Sequence, residues 1–225
     1  MVRLNMDGIL TWGREFFANP SKELLILTLA GWSAGISLYL TVGLLGLCGH
    51  FGWIVLPGEL AVFANPLVFS FAFIIFSIEF IADKVPYVDS VWDSVHVFIR
   101  PLGGIVIGYL AGSEHGPVVQ AIYAMFAGSL ALSSHTAKAA ERLAINTSPE
   151  PFSNIAASTV EQSLVIFMYW FFTRHPILTC VIIAGFMTVA FFLIRILWRF
   201  VKMVFGGPTA TLTKQNGEKK KETSA

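Results

Sequence analysis

The sequence predicts an all-α, polytopic membrane protein, and two observations carry that prediction: a very apolar composition and long uninterrupted apolar runs. Of 225 residues, 55% are hydrophobic and 13% are charged, and the mean hydropathy is +0.70. An ordinary soluble domain contains about 25% charged residues, so this chain carries roughly half the usual charge. The apolar runs show neither a solvated helical face nor the alternation of a β-strand. We therefore expect helices that contact lipid.

Six apolar segments are predicted to be helical. They cover residues 24–48, 62–82, 97–112, 117–134, 159–173 and 177–201. A helix needs about 20 residues to cross a bilayer, so the third and fifth segments are short. Each follows a polar, proline-containing stretch, 83–96 or 135–158. This pattern is typical of a site built from broken helices, although ordinary spans that begin earlier than hydropathy indicates would produce it as well.

Three regions are predicted along the chain: an amphipathic leader at 1–23, a single transmembrane domain at 24–205 and a disordered cytoplasmic tail at 206–225. With six crossings, the connections 49–61 and 113–116 lie on one side and contain no Lys or Arg. Nearly all basic residues then lie on the opposite side. The positive-inside rule therefore predicts that both termini are cytoplasmic.

The segment EFIADKVPYVDSVWDSVHVFIRP, residues 79–101, concentrates ionisable residues in an otherwise apolar chain. Pro86 disfavours a helical conformation at the residue before it, so a new helix is predicted with Asp89 as its N-cap. At 100° per residue, four ionisable side chains of this helix fall within an arc of about 60°. They are Asp89, Asp93, His96 and Arg100. Two more acids, Glu79 and Asp83, end the preceding apolar segment.

Two interpretations of this stripe stay open. In the first, Asp89 caps the helix, Asp93 complements the helix dipole and Arg100 pairs with a neighbour, all facing cytoplasmic water. In the second, the stripe lines a pathway, because an ionisable group at membrane depth costs about 2.5–3.5 kcal/mol and usually faces a cavity. Asp89 and His96 are roughly 10 Å apart along the helix axis, so one metal ion cannot bind both. Whether a metal binds elsewhere stays undetermined, and no cofactor is predicted.

A second polar stretch, SSHTAKAAERLAINTSPEP at 133–151, is basic. Its residues His135, Lys138 and Arg142 lie close to one helical face, and Glu161 opens the fifth apolar segment. This face could pair with the acidic stripe as a structural ion network, or it could bind an anionic group. Both polar stretches follow an apolar span and precede a short helix, a pattern that suggests a pseudo-symmetric internal repeat.

Enzyme motifs are absent from the sequence. There is no HExxH, GxSxG or Walker motif, so no catalytic residue is predicted. The spacing of Asp89 and Asp93 is similar to that of metal-dependent lipid transferases, but their DG and AR elements are missing. An intramembrane lipid enzyme is therefore the weakest of the alternatives.

The motif EFIADKVPYVDSVWDSVHVFIRPLGG, followed by SSHTAKAAERLAINTSPEPFSN, resembles the bacterial membrane-protein family called domain of unknown function 4126. The resemblance covers about 62–200 and implies a location in the bacterial inner membrane. The family name supplies no activity. The resemblance also implies a set of signature residues: Asp83, Lys84, Pro86, Asp89, Trp92, Asp93, His96, Arg100, Pro101, His135, Lys138, Arg142 and Asn146.

The predicted function is a transporter or channel for an ion or small polar solute, with its pathway between 79–100 and 133–161. The expected pathway residues are Glu79, Asp83, Lys84, Asp89, Asp93, His96, Arg100, His135, Lys138, Arg142 and Glu161. The expected partners are the lipid bilayer and a small solute, proton or cation, but no nucleic acid. The glycine faces Gly31/Gly35 and Gly104/Gly108/Gly112 would also suit a homo-oligomer. The alternative is a membrane protein that binds lipid headgroups or a partner and transports nothing.

Overall fold

The computed structural model describes residues 22–85, 87–145 and 151–205, and this part of the chain is all-helical, as predicted. It contains seven α-helices and two short 3-10 helices, Gly58–Ala64 and Ser113–His115. The α-helices are α1 (Lys22–Ile36), α2 (Leu38–His50), α3 (Pro66–Ala82), α4 (Val88–Ala111), α5 (Pro117–Ile145), α6 (Pro151–Phe172) and α7 (Pro176–Phe205). Most of the predicted leader, Pro86, Asn146 and the predicted tail at 206–225 lie outside the described residues.

The chain divides into two compact units, one ending at Met187 and the other beginning at Thr188. All the contacts discussed below lie within the first unit. The second unit contains the C-terminal part of α7.

Four helical stretches of the described chain are long and apolar enough to cross a membrane. They are Val91–Ala111, Pro117–Ile145, Phe152–Phe172 and Pro176–Ile196. The 3-10 helix Gly58–Ala64 and α3, bent by 70° at their junction, make a fifth if they are counted together. The protein is therefore a multi-pass membrane protein, but the count of six is not confirmed.

The segments predicted to be short are full-length helices. Helix α4 has 24 residues and α6 has 22, because the polar residues before each apolar segment are themselves helical. Hydropathy reads those turns as connections, but tertiary contacts bury their charges. Spans that begin earlier than hydropathy indicates are therefore the correct explanation for these two segments.

Helix α4 runs antiparallel to α3 and α5, the helices that precede and follow it in the chain. Its Arg100 bonds to Glu79 near the end of α3 and to His135 in the second half of α5. Further along α4, Gly108 contacts Tyr123 near the start of α5. The bundle therefore has two ends: a polar end at residues 83–85 and 87, just before α4 begins, and a far end at residues 112–116, where α4 finishes.

The first apolar segment is the broken one, and the break is at Ser37. This residue has an extended backbone (φ −151°, ψ 104°) between α1 and α2. Along α1, Gly31 contacts Ala127 and Gly35 contacts Ala131, so α1 runs in the same direction as α5 towards the polar end.

Helix α2 runs back in the opposite direction. Its Gly43 contacts Phe73 and its Gly46 contacts Phe69, so α2 runs antiparallel to α3, towards the residues where α3 begins. Helices α1 and α2 therefore form a re-entrant hairpin that enters from the far end and has its tip at Ser37.

Contacts at the far end agree with this reversal. Glu23, at the start of α1, accepts hydrogen bonds from His115 Nε2 at 2.8 Å and from Tyr123 Oη at 2.8 Å. His50, at the end of α2, lies 3.2 Å from the Ala64 carbonyl oxygen through Nδ1. Segment 24–48 therefore does not run from one end of the bundle to the other. The prediction that both termini are cytoplasmic counted this segment as a membrane crossing, so that prediction no longer follows from the number of crossings.

Both glycine faces pack inside the subunit, against α5. A Cβ on Gly31 would lie 2.9 Å from the Ala127 carbonyl oxygen. A Cβ on Gly104 would lie 2.8 Å from the same oxygen and 2.7 Å from the Ala131 Cβ. These glycines let three helices approach closely. A homo-oligomer stays a prediction.

Replacing Gly104 with Ala is expected to lower the free energy of unfolding by about 1–3 kcal/mol, because the added methyl group overpacks the contact between α4 and α5. The measurement is the loss of folded monomer on heating in detergent. Gly185→Ala is the matched control, since a Cβ there meets no atom within 4 Å. Equal melting of the two variants would contradict the packing described.

Candidate functional site

Ionisable side chains from four helical segments are buried between the middle of the bundle and its polar end. Ten of them are at most 9% exposed. They are Glu79, Asp83, Asp89, Asp93, His96, Arg100, His135, Lys138, Arg142 and Glu161. Together with half-buried Lys84 they are called the charged cluster below, and they are the predicted pathway residues. The stripe at 89–100 thus faces protein and not cytoplasmic water.

Asp89 has a different local role from the one predicted. Helix α4 begins at Val88, and Tyr87, with φ 69°, occupies the N-cap position. Asp89 therefore lies in the first turn, fully buried. A carboxylate in this position is favoured by the N-terminal end of the helix dipole.

The half of the charged cluster nearer the bundle centre is organised around Arg100, and we call it the deep network. The Arg100 guanidinium donates to Glu79 Oε1, Asp93 Oδ1 and His135 Nδ1, each at 2.9 Å. The second Glu79 oxygen, Oε2, accepts from the Ser37 hydroxyl. Arg100 is about 18 Å along the helix from Val88, at roughly 1.5 Å per residue, so this network lies near the middle of α4.

His96 sits beside the deep network and packs between two aromatic rings. Its Nδ1 lies 2.7 Å from the Trp92 carbonyl oxygen. The Trp92 ring stacks on the imidazole with centroids 4.6 Å apart. The Tyr39 ring, from α2, meets it edge-on at 5.8 Å.

The half nearer the polar end is organised around Lys138, and we call it the shallow network. Lys138 Nζ donates to Asp83 Oδ2 at 2.8 Å and lies 3.6 Å from Glu161 Oε2. The same Glu161 oxygen accepts from Arg142 at 2.7 Å. Lys138 Nζ also donates to the Ile36 carbonyl oxygen at 3.1 Å. One ammonium therefore joins α3, α5, α6 and the hairpin tip.

Lys84 closes the cluster at the polar end. Its Nζ lies 3.2 Å from Ser158 Oγ and 3.4 Å from Gln162 Oε1, both on α6. It also sits 3.2 Å above the centre of the Phe80 ring. Partial burial lowers the pKa of this ammonium, while the neighbouring Asp83 carboxylate acts in the opposite direction.

The tip of the hairpin is part of the site, and sequence reasoning missed it. Because the helix stops at Ile36, the carbonyl oxygen of that residue is available to Lys138. Ser37 donates to Glu79 just where α2 begins, so the carboxylate lies near a helix N-terminus. The signal that could have found this break is the small-residue sequence AGWSAGIS at 30–37, inside an otherwise apolar run.

Several buried polar atoms of the cluster have no hydrogen-bond partner among the described residues. In the deep network and beside it they are Asp93 Oδ2, His96 Nε2, His135 Nε2 and Arg100 Nε. In the shallow network and beside it they are Asp83 Oδ1, Glu161 Oε1, Arg142 Nε and Gln162 Nε2. Native interiors pair almost all such atoms with protein groups, ordered water or a bound ion, so these atoms call for partners from outside the described side chains.

The charges of the cluster do not balance. Five buried carboxyl groups face three buried strong bases, Arg100, Lys138 and Arg142, and Lys84 adds a fourth base at the edge. With both histidines neutral, the cluster holds one more negative charge than positive charges. Within the described residues, no three His, Cys, Asp or Glu side chains are grouped closely enough to hold a metal ion.

The half of the bundle towards the far end is apolar. Its fully buried side chains include Leu27, Leu45, Leu60, Ile107 and Tyr123. The charged cluster is therefore closed off from the far end by packed side chains, and it is nearly inaccessible from the polar end as well.

The fold and the site define a multi-pass helical membrane protein in which a re-entrant hairpin meets a buried charged cluster. The model of the family described as Domain of unknown function (DUF4126) matches residues 24–196, and the chain belongs to this family. The predicted resemblance is thereby confirmed. The matched range includes the hairpin as well as the whole charged cluster. No curated protein and no solved structure matches the chain.

Proposed function

We propose that the protein is a membrane transporter for an ion or a small polar solute, and that the charged cluster is its binding site. One observation carries the proposal: a buried cluster with unpaired polar atoms meets a helix break near the middle of the bundle. Broken helices whose ends point at charged groups are the usual way that transporters build a site at the membrane midplane.

A purely structural role explains the cluster less well. Burying paired charges is often no better for stability than burying apolar side chains of similar volume. Five carboxyl groups and three strong bases in the bundle are therefore a costly way to hold helices together. The unpaired atoms add to that cost unless water or a solute reaches them. A bound ion or polar solute would satisfy them.

The apolar half favours a carrier over an open channel. A solute at the cluster reaches the far end only if the packed side chains there separate. The hairpin is the element best placed to move, because its tip is held to the rest of the cluster by polar contacts: Lys138 to the Ile36 carbonyl and Ser37 to Glu79. Displacing the tip would expose the cluster from the far end.

The proposed location is the bacterial inner membrane, with the polar end towards the cytoplasm. The connections 51–57 and 112–116 at the far end contain no Lys or Arg, whereas Lys84 lies at the polar end. The positive-inside rule therefore favours this orientation, and within the part of the chain that the structure describes Lys22 and Arg174 oppose it. Binding of lipid headgroups by the cluster is disfavoured, because its side chains are buried.

Asp93→Asn tests the proposal in proteoliposomes loaded against a panel of monovalent ions, protons and small polar solutes. We expect wild-type protein to transport at least one of them, and Asp93→Asn to reduce that flux to the level of protein-free liposomes. Glu114→Gln is the matched control, because Glu114 is exposed at the far end. Absence of wild-type flux across the panel would refute transport and favour a lipid- or partner-binding role.

A further inference from the structure

The two buried histidines, His135 in the deep network and His96 beside it, have opposite tautomers. Guanidinium groups only donate hydrogen bonds, so the 2.9 Å contact from Arg100 makes His135 Nδ1 an acceptor. The proton of neutral His135 is therefore on Nε2. The Trp92 carbonyl oxygen only accepts, so the 2.7 Å contact makes His96 Nδ1 a donor. Neutral His96 thus carries its lone pair on Nε2.

This difference decides which imidazole can bind a proton. His96 Nε2 is a buried acceptor with no partner among the described residues. Protonating it breaks none of the hydrogen bonds that the structure shows. Protonating His135 would require a proton on Nδ1, which already accepts from Arg100. Two donors would then face each other, and the contact would be lost.

Burial disfavours a charged imidazole at His96, but the formal charges around it leave one negative charge uncompensated. The charged and titratable groups near it are Tyr39 of α2, Glu79 of α3, Asp93 and Arg100 of α4, and His135 of α5. In formal charge, Glu79 and Asp93 contribute two negative charges and Arg100 contributes one positive charge. One proton makes this group neutral. The Trp92 ring stacked on the imidazole also favours a cation, through its π face.

We propose that the proton is the coupling or transported ion of this protein, and that it binds at Nε2 of His96. The proton adds to the Nε2 lone pair, gives an imidazolium and takes the deep network from one net negative charge to zero. His135 stays neutral and positions Arg100. This inference rests on the proposed function and adds to it the chemical nature of the ion and the atom that binds it.

The first test is independent of transport. Full-length protein with ¹⁵N-labelled histidine is reconstituted in lipid nanodiscs, and the imidazole nitrogens are followed by NMR between about pH 8 and pH 5. The five histidines are assigned by single His→Gln variants. We expect His96 to change from the Nδ1–H tautomer to the doubly protonated form, while His135 stays Nε2–H and neutral. A His96 that does not titrate, or a His135 that does, would overturn the proposal.

The second test measures proton flux into proteoliposomes with an internal pH-sensitive dye. We expect His96→Gln to abolish a flux that His175→Gln, altered in an exposed turn, leaves intact. Titration of His96 without any wild-type flux would leave the proton site standing and refute transport. Solute flux that is unchanged by a pH gradient and by His96→Gln would support transport but refute the proton as the coupling or transported ion. A sodium gradient applied at equal pH separates sodium from the proton as the coupling ion.

Discussion

Arg100→Gln is expected to lower the free energy of unfolding by about 3–5 kcal/mol, because it leaves Glu79 and Asp93 buried without their shared cation. Arg100 is fully buried and donates to both carboxylates at 2.9 Å. The measurement is reversible unfolding in mixed micelles by denaturant, followed by tryptophan fluorescence. Arg174→Gln removes the same charge from an exposed position and is expected to change stability by less than about 0.5 kcal/mol.

A triple variant separates unpaired charge from lost packing. Adding Glu79→Gln and Asp93→Asn to Arg100→Gln removes the uncompensated carboxylates and is expected to recover much of the lost stability. If the triple variant is as unstable as the single one, the charges of the deep network are not what the arginine stabilises.

Lys138→Met is expected to cost a similar amount, about 3–5 kcal/mol, since it leaves Asp83 buried without its bonded cation. It also removes the donor to the Ile36 carbonyl oxygen, so the effect should be concentrated at the hairpin tip. Hydrogen exchange measured by mass spectrometry is expected to speed up in residues 30–42 more than in α6.

Asp83→Asn combined with Lys138→Met is the matched control. In the double variant the Ile36 carbonyl oxygen still lacks its donor, but the unpaired Asp83 carboxylate is gone. We therefore expect it to regain stability while exchange at the tip stays fast. Slow exchange at the tip in Lys138→Met would show that this lysine does not hold the hairpin.

The membrane class and the membership of the charged cluster could be predicted from the sequence. Both depend on local signals: a shortage of charge over long runs, and ionisable residues at helical spacing. The stripe from Asp89 to Arg100 is visible in this way because the geometry of one helix fixes it. Its burial depends on partners from other helices, Glu79 of α3 and His135 of α5. The sequence left open whether the second polar stretch would pair with the stripe or bind an anionic group.

The hairpin and the lengths of α4 and α6 could not be predicted in the same way. Hydropathy measures how long an apolar run is and carries no information on its direction, so 24–48 looks like one crossing. Its reversal depends on partners far along the chain, Ser134 and Lys138. The charged residues at the start of α4 look like a connection in the sequence, because oppositely charged side chains reach them only once the bundle has folded.

The position of the hairpin in the chain also constrains biosynthesis. Ser134 donates to the Trp32 carbonyl oxygen and Lys138 to that of Ile36, each across 102 positions of sequence. At about 5–20 residues per second, a ribosome needs roughly 5–20 s to make the intervening chain. Throughout that interval the Ile36 carbonyl oxygen, at the helix break, lacks its donor Lys138. The contacts of the hairpin tip with α5 therefore form only after the ribosome has made α5, well after the tip itself.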